Sequence, residues 1–348
     1  MATIVIHAGM PKTGSTSIER WLIDNRERLR DEHGVQILVA ANQTHRNPTD
    51  EVRLEPYESG VVNSIALVKA WRAAGRSPAI ARRFVDDLAG FAEECRLALI
   101  TTEAFAQVFW RMDEPFLGGL EDLAKRHDVR VALYLRPQHG ALEARWREWG
   151  FKQRSLTPSD WVLDQSKRGL HYERMLNAAR ALAPSVDLGV RPFRMDLLEG
   201  GSPVEDFVRQ FVSLDERCDD VHANAGLPLE LVNILRDSPR GWFYTESVGV
   251  DPDTYPRSKV RELLEGLEIS ESPKIRRSRL ILQQHCHEVF EPENQALIRR
   301  LGWPIANFVP PAELDREWEL RELDALWAPE ASESERALLY HALRAALN

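Results

Sequence analysis

Apolar residues in this chain fall into short dense runs separated by longer stretches of helical spacing. The runs are Thr3–Ala8, "VQILVA" at Val35–Ala40, "LALITTE" at Leu97–Glu103, "VRVALYLRP" at Val129–Pro137 and "SVDLGVRPF" at Ser185–Phe193. Runs with so few polar positions fit strands covered on both faces, as in a parallel sheet. Helices are predicted from Ser15 to about Leu29, from about Val62 to Cys95, from about Glu114 to His127, and in "ALEARWREWGF" and "SPVEDFVRQFV". Strands alternating with helices predict an α/β fold, a parallel sheet flanked by helices and lying mostly within residues 1–215. Residues 41–60 have no apolar period and read as a long loop. Beyond Asp219 the pattern is largely helical through residue 304, with "LPLELVNILRD", "SKVRELLEGL" and "SPKIRRSRLILQQHCHEVFEPENQALIRRLG" as successive helices. "VPPAEL" then interrupts the pattern and "SESERALLYHALRAAL" ends it. Residues 305–348 therefore read as a helical tail packed on a domain of residues 1–304.

Composition narrows the chemistry. The formal charge of −9 argues against broad adhesion to nucleic acid or anionic lipid, so any anion site must be a local set of donors. Three widely spaced cysteines, Cys95, Cys218 and Cys286, make no disulfide framework and point to a reducing compartment. His285-Cys286-His287 has no companion cluster at metal-ligand spacing and reads as part of a helix. With no visible signal peptide and no apolar run long enough to span a bilayer, a cytoplasmic protein is expected.

The informative stretch is "IVIHAGMPKTGSTSIERWL", Ile4 to Leu22, which reads as strand, loop and helix. In an open parallel sheet ligands sit at the carboxyl ends of strands. Backbone N–H groups that open a helix point at anions, and glycines let the backbone approach them. A nucleoside-triphosphate loop reads G-x-x-x-x-G-K-[ST]. Counted from Gly9, Gly14 matches the second glycine, but Ser15 stands where that motif has lysine, and the lysine is Lys12. No strand run ends in an aspartate suited to magnesium; Leu97–Thr102 ends in Glu103 and Val131–Leu135 in Arg136. Metal-assisted phosphoryl transfer therefore fits poorly. A transferring sulfuryl group carries less negative charge, and lysine with backbone donors can stabilise its departure without a divalent ion.

"GMPKTGSTSIERWL" resembles the 5′-phosphosulfate loop of sulfotransferases that use 3′-phosphoadenosine 5′-phosphosulfate (PAPS). "LALITTEAF" is similar to the family segment that carries the catalytic base, and "VALYLRPQHGALEARW" to its 3′-phosphate segment. "VRPFRMDLLEGGSPVEDFV", "NAGLPLELVNIL" and "VFEPENQALIRRLGW" are similar to downstream blocks of the bacterial branch, so the likeness covers most of Ile4 to Trp303, with Asn42–Gly60 and the last forty residues outside it. The resemblance implies a P-loop-like α/β fold, PAPS as donor, adenosine 3′,5′-bisphosphate as product and no metal. It implies an acceptor hydroxyl or amine on a carbohydrate, lipid or small metabolite; the net charge is what argues against nucleic acid as a partner.

By the same resemblance Pro11, Lys12, Thr13, Gly14, Ser15, Thr16 and Ser17 hold the 5′-phosphosulfate, with Lys12 neutralising the leaving group. Glu103 takes the place of the general base, and partial burial would raise its pKa. His7 and His45 are the rival candidates, for the base or for contact with the acceptor. Arg136 takes the place of the 3′-phosphate ligand. Many relatives carry a serine eight residues after this arginine. Here that position is Ala144, so a hydrogen bond is missing or comes from Arg145, Arg147 or Lys152. For Trp110, Trp146, Trp149, Trp161, Trp242, Tyr172 and Phe193, core packing is the stronger reading. The competing functions are a non-catalytic nucleotide-binding protein of the same fold and an ATP-dependent kinase.

Overall fold

The structure is a computed structural model that describes residues 2–10, 12–40, 53–58, 67, 70–71, 75–102, 105–111, 113–149, 156–218, 229, 233, 272–314, 317–328 and 334. Its elements group into two compact units. The first comprises residues 1–137, 171–224 and 292–308, and the second residues 138–170, 225–291 and 309–348.

The first unit is built on a six-stranded sheet. Its strands are β1 (Thr3–His7), β2 (Val35–Ala40), β3 (Leu54–Pro56), β4 (Leu97–Thr101), β5 (Asp128–Leu135) and β6 (Asp187–Pro192), in the order β3-β2-β4-β1-β5-β6. All pairings are parallel except that of β3 with β2. The apolar runs land as expected: every residue of β4 is buried, and β1 is buried from Ile4 to His7. Register places Ile6 between Ile100 of β4 and Val131 of β5. The α/β class with a mostly parallel sheet is thus as expected.

Three local details differ from the sequence reading. Residues 41–60 are not wholly loop, because Leu54–Pro56 pairs antiparallel at the edge, where a proline removes no ladder bond. The first helix stops early. α1 spans Ser15–Asp24 and α2 spans Arg26–His33, with Asn25 between them donating its side-chain Nδ2 to the Trp21 carbonyl at 2.9 Å. The region expected as one helix over 62–95 contains a turn at Gly75–Ser77 before α3 (Pro78–Glu94), which opens on proline and buries Ile80, Phe84, Val85 and Leu88.

The remaining helices of the unit are α4 (Ala106–Trp110), α5 (Glu114–Ala124), α8 (Tyr172–Leu182) and α9 (Pro203–Phe207), which continues as a π-helical turn over Val208–Val212. One core layer joins Val5, Ile18, Trp21, Tyr134, Phe207 and Phe211. A second is an aromatic triad, Phe84, Phe105 and Phe116, with ring centroids 5.6–5.7 Å apart.

The second unit contains α6 (Gln138–Trp149), α7 (Pro158–Arg168), α11 (Glu322–Leu326) and the first part of α10 (Pro273–Leu301). Trp146 packs on Trp161 and Trp327 at 5.1 and 5.0 Å between centroids, which is the core role expected of Trp146 and Trp161. Pro292 lies inside α10, and the division between units falls there. Residues 234–271 and the expected end helix over 332–347, apart from Ser334, lie outside the described residues.

Candidate functional site

The chain leaves β1, goes through α1 and α2 to β2, and returns to β4 beside β1. It then passes over β1 to reach β5 on the other flank. Strand order therefore switches at β1, which is where an open parallel sheet forms a ligand crevice. The described segments at its carboxyl edge include residues 8–10 and 12–17 after β1, Thr102 after β4 and Arg136 after β5.

The loop after β1 holds an unusual backbone. Lys12 has φ +68°, a left-handed conformation uncommon for a residue with a side chain, and Gly14 has φ +78°. The Thr13 hydroxyl donates to the Met10 carbonyl at 2.7 Å, closing the loop on itself. Arg136 donates from Nη1 to the Lys12 carbonyl at 2.9 Å, and its guanidinium lies 5.7 Å from the Phe193 ring centre. The Tyr172 hydroxyl in turn donates to the Arg136 carbonyl at 2.9 Å. A turn that would cost energy alone is thus held by two bonds, and the arginine that makes one of them is itself held by Tyr172 and Phe193.

Gly14 is the N-cap of α1. Among the described residues no side chain caps the helix, and its first turn carries no acidic residue, so the positive end of the helix faces the loop. A Cβ on residue 14 would sit 2.8 Å from Pro203 Cγ and 3.4 Å from Phe193 Cε2. Ser15 is buried, and its Oγ has no hydrogen-bond partner among the described residues. Thr16 is exposed and Ser17 buried, the Ser17 N–H donating to the Gly14 carbonyl at 3.0 Å. Two further buried polar atoms at this edge lack partners among the described residues, Thr102 Oγ1 and His7 Nε2. Orphaned buried polar atoms are rare in folded proteins. Three in segments that converge on one sheet edge fit a polar ligand, and the helix start fits an anionic one.

His7 is fully enclosed, its Nδ1 2.9 Å from Thr101 Oγ1 and its ring 5.2 Å from that of Phe207. Burial lowers its pKa from 6.5 to about 4 and keeps the imidazole neutral. Thr101 Oγ1 lies 3.4 Å from Glu19 Oε1 on α1. Beneath the site Asp206, fully buried, accepts from Tyr134 Oη at 2.8 Å, from Arg191 Nε and Nη2 at 3.0 and 2.5 Å, and from the Glu199 N–H at 3.0 Å. This carboxylate ties β5, β6 and α9 together. Its hydrogen bond raises the Arg191 pKa, and burial raises that of Tyr134.

Of the expected site residues, Lys12 to Ser17 and Arg136 meet at this edge. His7 lies there too, but enclosed under the aromatic layer. Pro11, His45 and Glu103 lie outside the described residues, as does Lys152. Arg147 pairs with Glu143 at 2.5 Å within the second unit. Tyr172 and Phe193, read as core, are buried or half-buried, and each also holds Arg136. Glu19 and Thr101 were missed, because no motif marks a carboxylate inside a helix and a threonine ending a strand. Among the described residues no group of three or more histidine, cysteine, aspartate or glutamate side chains is placed to hold a metal, and no helix is long and apolar enough to cross a membrane. No protein-family model, curated protein or solved structure matches the chain.

Proposed function

We propose that this protein is a PAPS-dependent sulfotransferase acting on a hydroxyl or amine of a carbohydrate, lipid or small metabolite. The observation that carries the reading is the loop from Met10 to Ser17. A left-handed lysine, a left-handed glycine at the helix start and a buried serine hydroxyl with no partner among the described residues stand at the switch in strand order. The likeness of this stretch to the phosphosulfate loop selects the ligand among anions.

When bound, PAPS supplies an activated sulfuryl group. The α1 N-terminus and the Ser15 hydroxyl hold the 5′-phosphate end. The Lys12 ammonium neutralises charge that grows on the leaving oxygen, and fixed donors do this without reorganisation. Arg136 serves the 3′-phosphate while its Nη1 bond keeps the Lys12 backbone in place. A carboxylate takes the acceptor proton, Glu103 being the assignment from sequence. The reaction is assigned to the cytoplasm, in keeping with Cys95, Cys218 and Cys286 as free thiols.

A calorimetric comparison of adenosine nucleotides differing only at the 3′ position, followed by labelled-sulfate transfer to an acceptor library, tests the proposal. Tight binding of adenosine 3′,5′-bisphosphate without magnesium is expected. Indifference to it, with tight binding of magnesium ATP, would replace the reading with a kinase. Tight binding of the bisphosphate with no transfer to any acceptor would leave a nucleotide-binding protein.

A further inference from the structure

His7, Thr101 and Glu19 form a chain of hydrogen bonds whose direction follows from its last member. An ionised carboxylate only accepts, so the Thr101 hydroxyl proton points to Glu19 Oε1, 3.4 Å away. The threonine oxygen then accepts from His7 Nδ1–H at 2.9 Å, which fixes the tautomer and leaves Nε2 bare. His7 is neutral, enclosed by Phe207 and Tyr134, and its ring is held at the end of β1. The relay therefore ends on one carboxylate: His7 orients the Thr101 hydroxyl, and that hydroxyl alone donates to Glu19. Glu19 follows Ser15 by one helical turn, so the two share a face of α1, the helix that opens on the anion loop. Its carboxylate meets the carboxyl end of β4, the strand beside β1.

We propose that Glu19 is the carboxylate that receives the acceptor's proton, with Thr101 and His7 as the positioning residues that aim it. This rests on the sulfotransferase reading and replaces the sequence assignment of the base. In the step, the acceptor oxygen forms a bond to sulfur while its proton passes to Glu19. The bond from sulfur to the bridging phosphate oxygen breaks, and its electron pair leaves with adenosine 3′,5′-bisphosphate beside Lys12. The 3.4 Å contact is long for two oxygens, as catalytic hydrogen bonds often are before substrate binds.

The test uses the full chain with PAPS and an acceptor found in the library screen. Glu19→Gln should lower kcat at least 100-fold with donor affinity within threefold of the unaltered protein, while Glu103→Gln lowers kcat less than tenfold. Thr101→Val, which keeps the side-chain shape, should lower kcat about tenfold with acceptor KM little changed, and Thr101→Ser should restore it. A purely structural threonine would not give that split and rescue. Retention of kcat within threefold by Glu19→Gln, or a larger loss in Glu103→Gln, overturns the proposal and leaves the sulfotransferase reading standing. If the unaltered protein neither binds adenosine 3′,5′-bisphosphate nor transfers sulfate, both fall together.

Discussion

Replacing Gly14 by alanine adds one methyl group where the backbone and the packing both oppose it. The residue sits at φ +78°, where a side chain costs about 1–2 kcal/mol. The new Cβ would lie 2.8 and 3.0 Å from Cγ and Cβ of Pro203, a rigid ring whose helix start is capped by the Ser202 hydroxyl. Neither ring atom is the end of a flexible chain, so backbone must shift, at an overpacking cost of about 1–3 kcal/mol. Together these give about 2–5 kcal/mol, a large share of the stability of a typical domain, about 5–15 kcal/mol. Gly90 supplies the control. It lies within α3 with nothing within 4 Å of an added Cβ, so Gly90→Ala should stabilise by about 0.5–1 kcal/mol. Urea unfolding followed by circular dichroism should therefore move the midpoint in opposite directions for the same chemical change. If Gly14→Ala unfolds within about 0.5 kcal/mol of the unaltered protein, the left-handed, tightly packed N-cap described above is wrong.

Other outcomes follow from the same geometry. Because the folded-state pKa of His7 is lowered from 6.5 to about 4, the unfolded chain binds the extra proton first. Its contribution, about 3 kcal/mol, is present above the ordinary value and lost as pH falls through that window. His7→Gln should flatten the stability curve there, and unchanged curvature would exclude the enclosed neutral ring. Asp206→Ala should cost about 3–5 kcal/mol in chemical denaturation, since it strands Arg191 and Tyr134 around a hole; a loss under about 1 kcal/mol would show that the network is dispensable. Arg136→Ala should weaken adenosine 3′,5′-bisphosphate about 10- to 100-fold and adenosine 5′-phosphate less. Equal losses by calorimetry would mean that the arginine acts only through the Lys12 carbonyl. Lys12→Ala should abolish sulfate transfer with its circular dichroism spectrum unchanged, and measurable turnover would remove the lysine from the mechanism.

The strands of the sheet core were legible because β4, β1 from Ile4 and β5 from Val131 are buried throughout and so read as dense apolar runs. β3 was not: Leu54–Pro56 has one buried residue and two exposed ones, and its pairing with β2 gives no period to a three-residue segment. The stop at Asn25 was missed because the two helices have continuous spacing, and the side-chain bonds at the junction, from Asn25 to the Trp21 carbonyl and from Arg28 to Asn25 Oδ1, leave no mark on the apolar pattern. In the site, Lys12, Gly14 and Ser15 were legible from a local motif. Glu19 became visible only through Thr101, 82 residues away, a pairing that needs the β1–β4 register. Arg136 was found from its strand end, but its hold on the loop required coordinates.

The bond from Arg136 to the Lys12 carbonyl spans 124 positions of chain. Central β1 likewise waits for partners that begin at Leu97 and Asp128. During synthesis the loop emerges 124 residues before the arginine that clasps it. Closing so long a loop is entropically costly and slow relative to forming the local helices. The loop conformation should accordingly mature late, after the local helices and only once β4 and β5 have paired with β1.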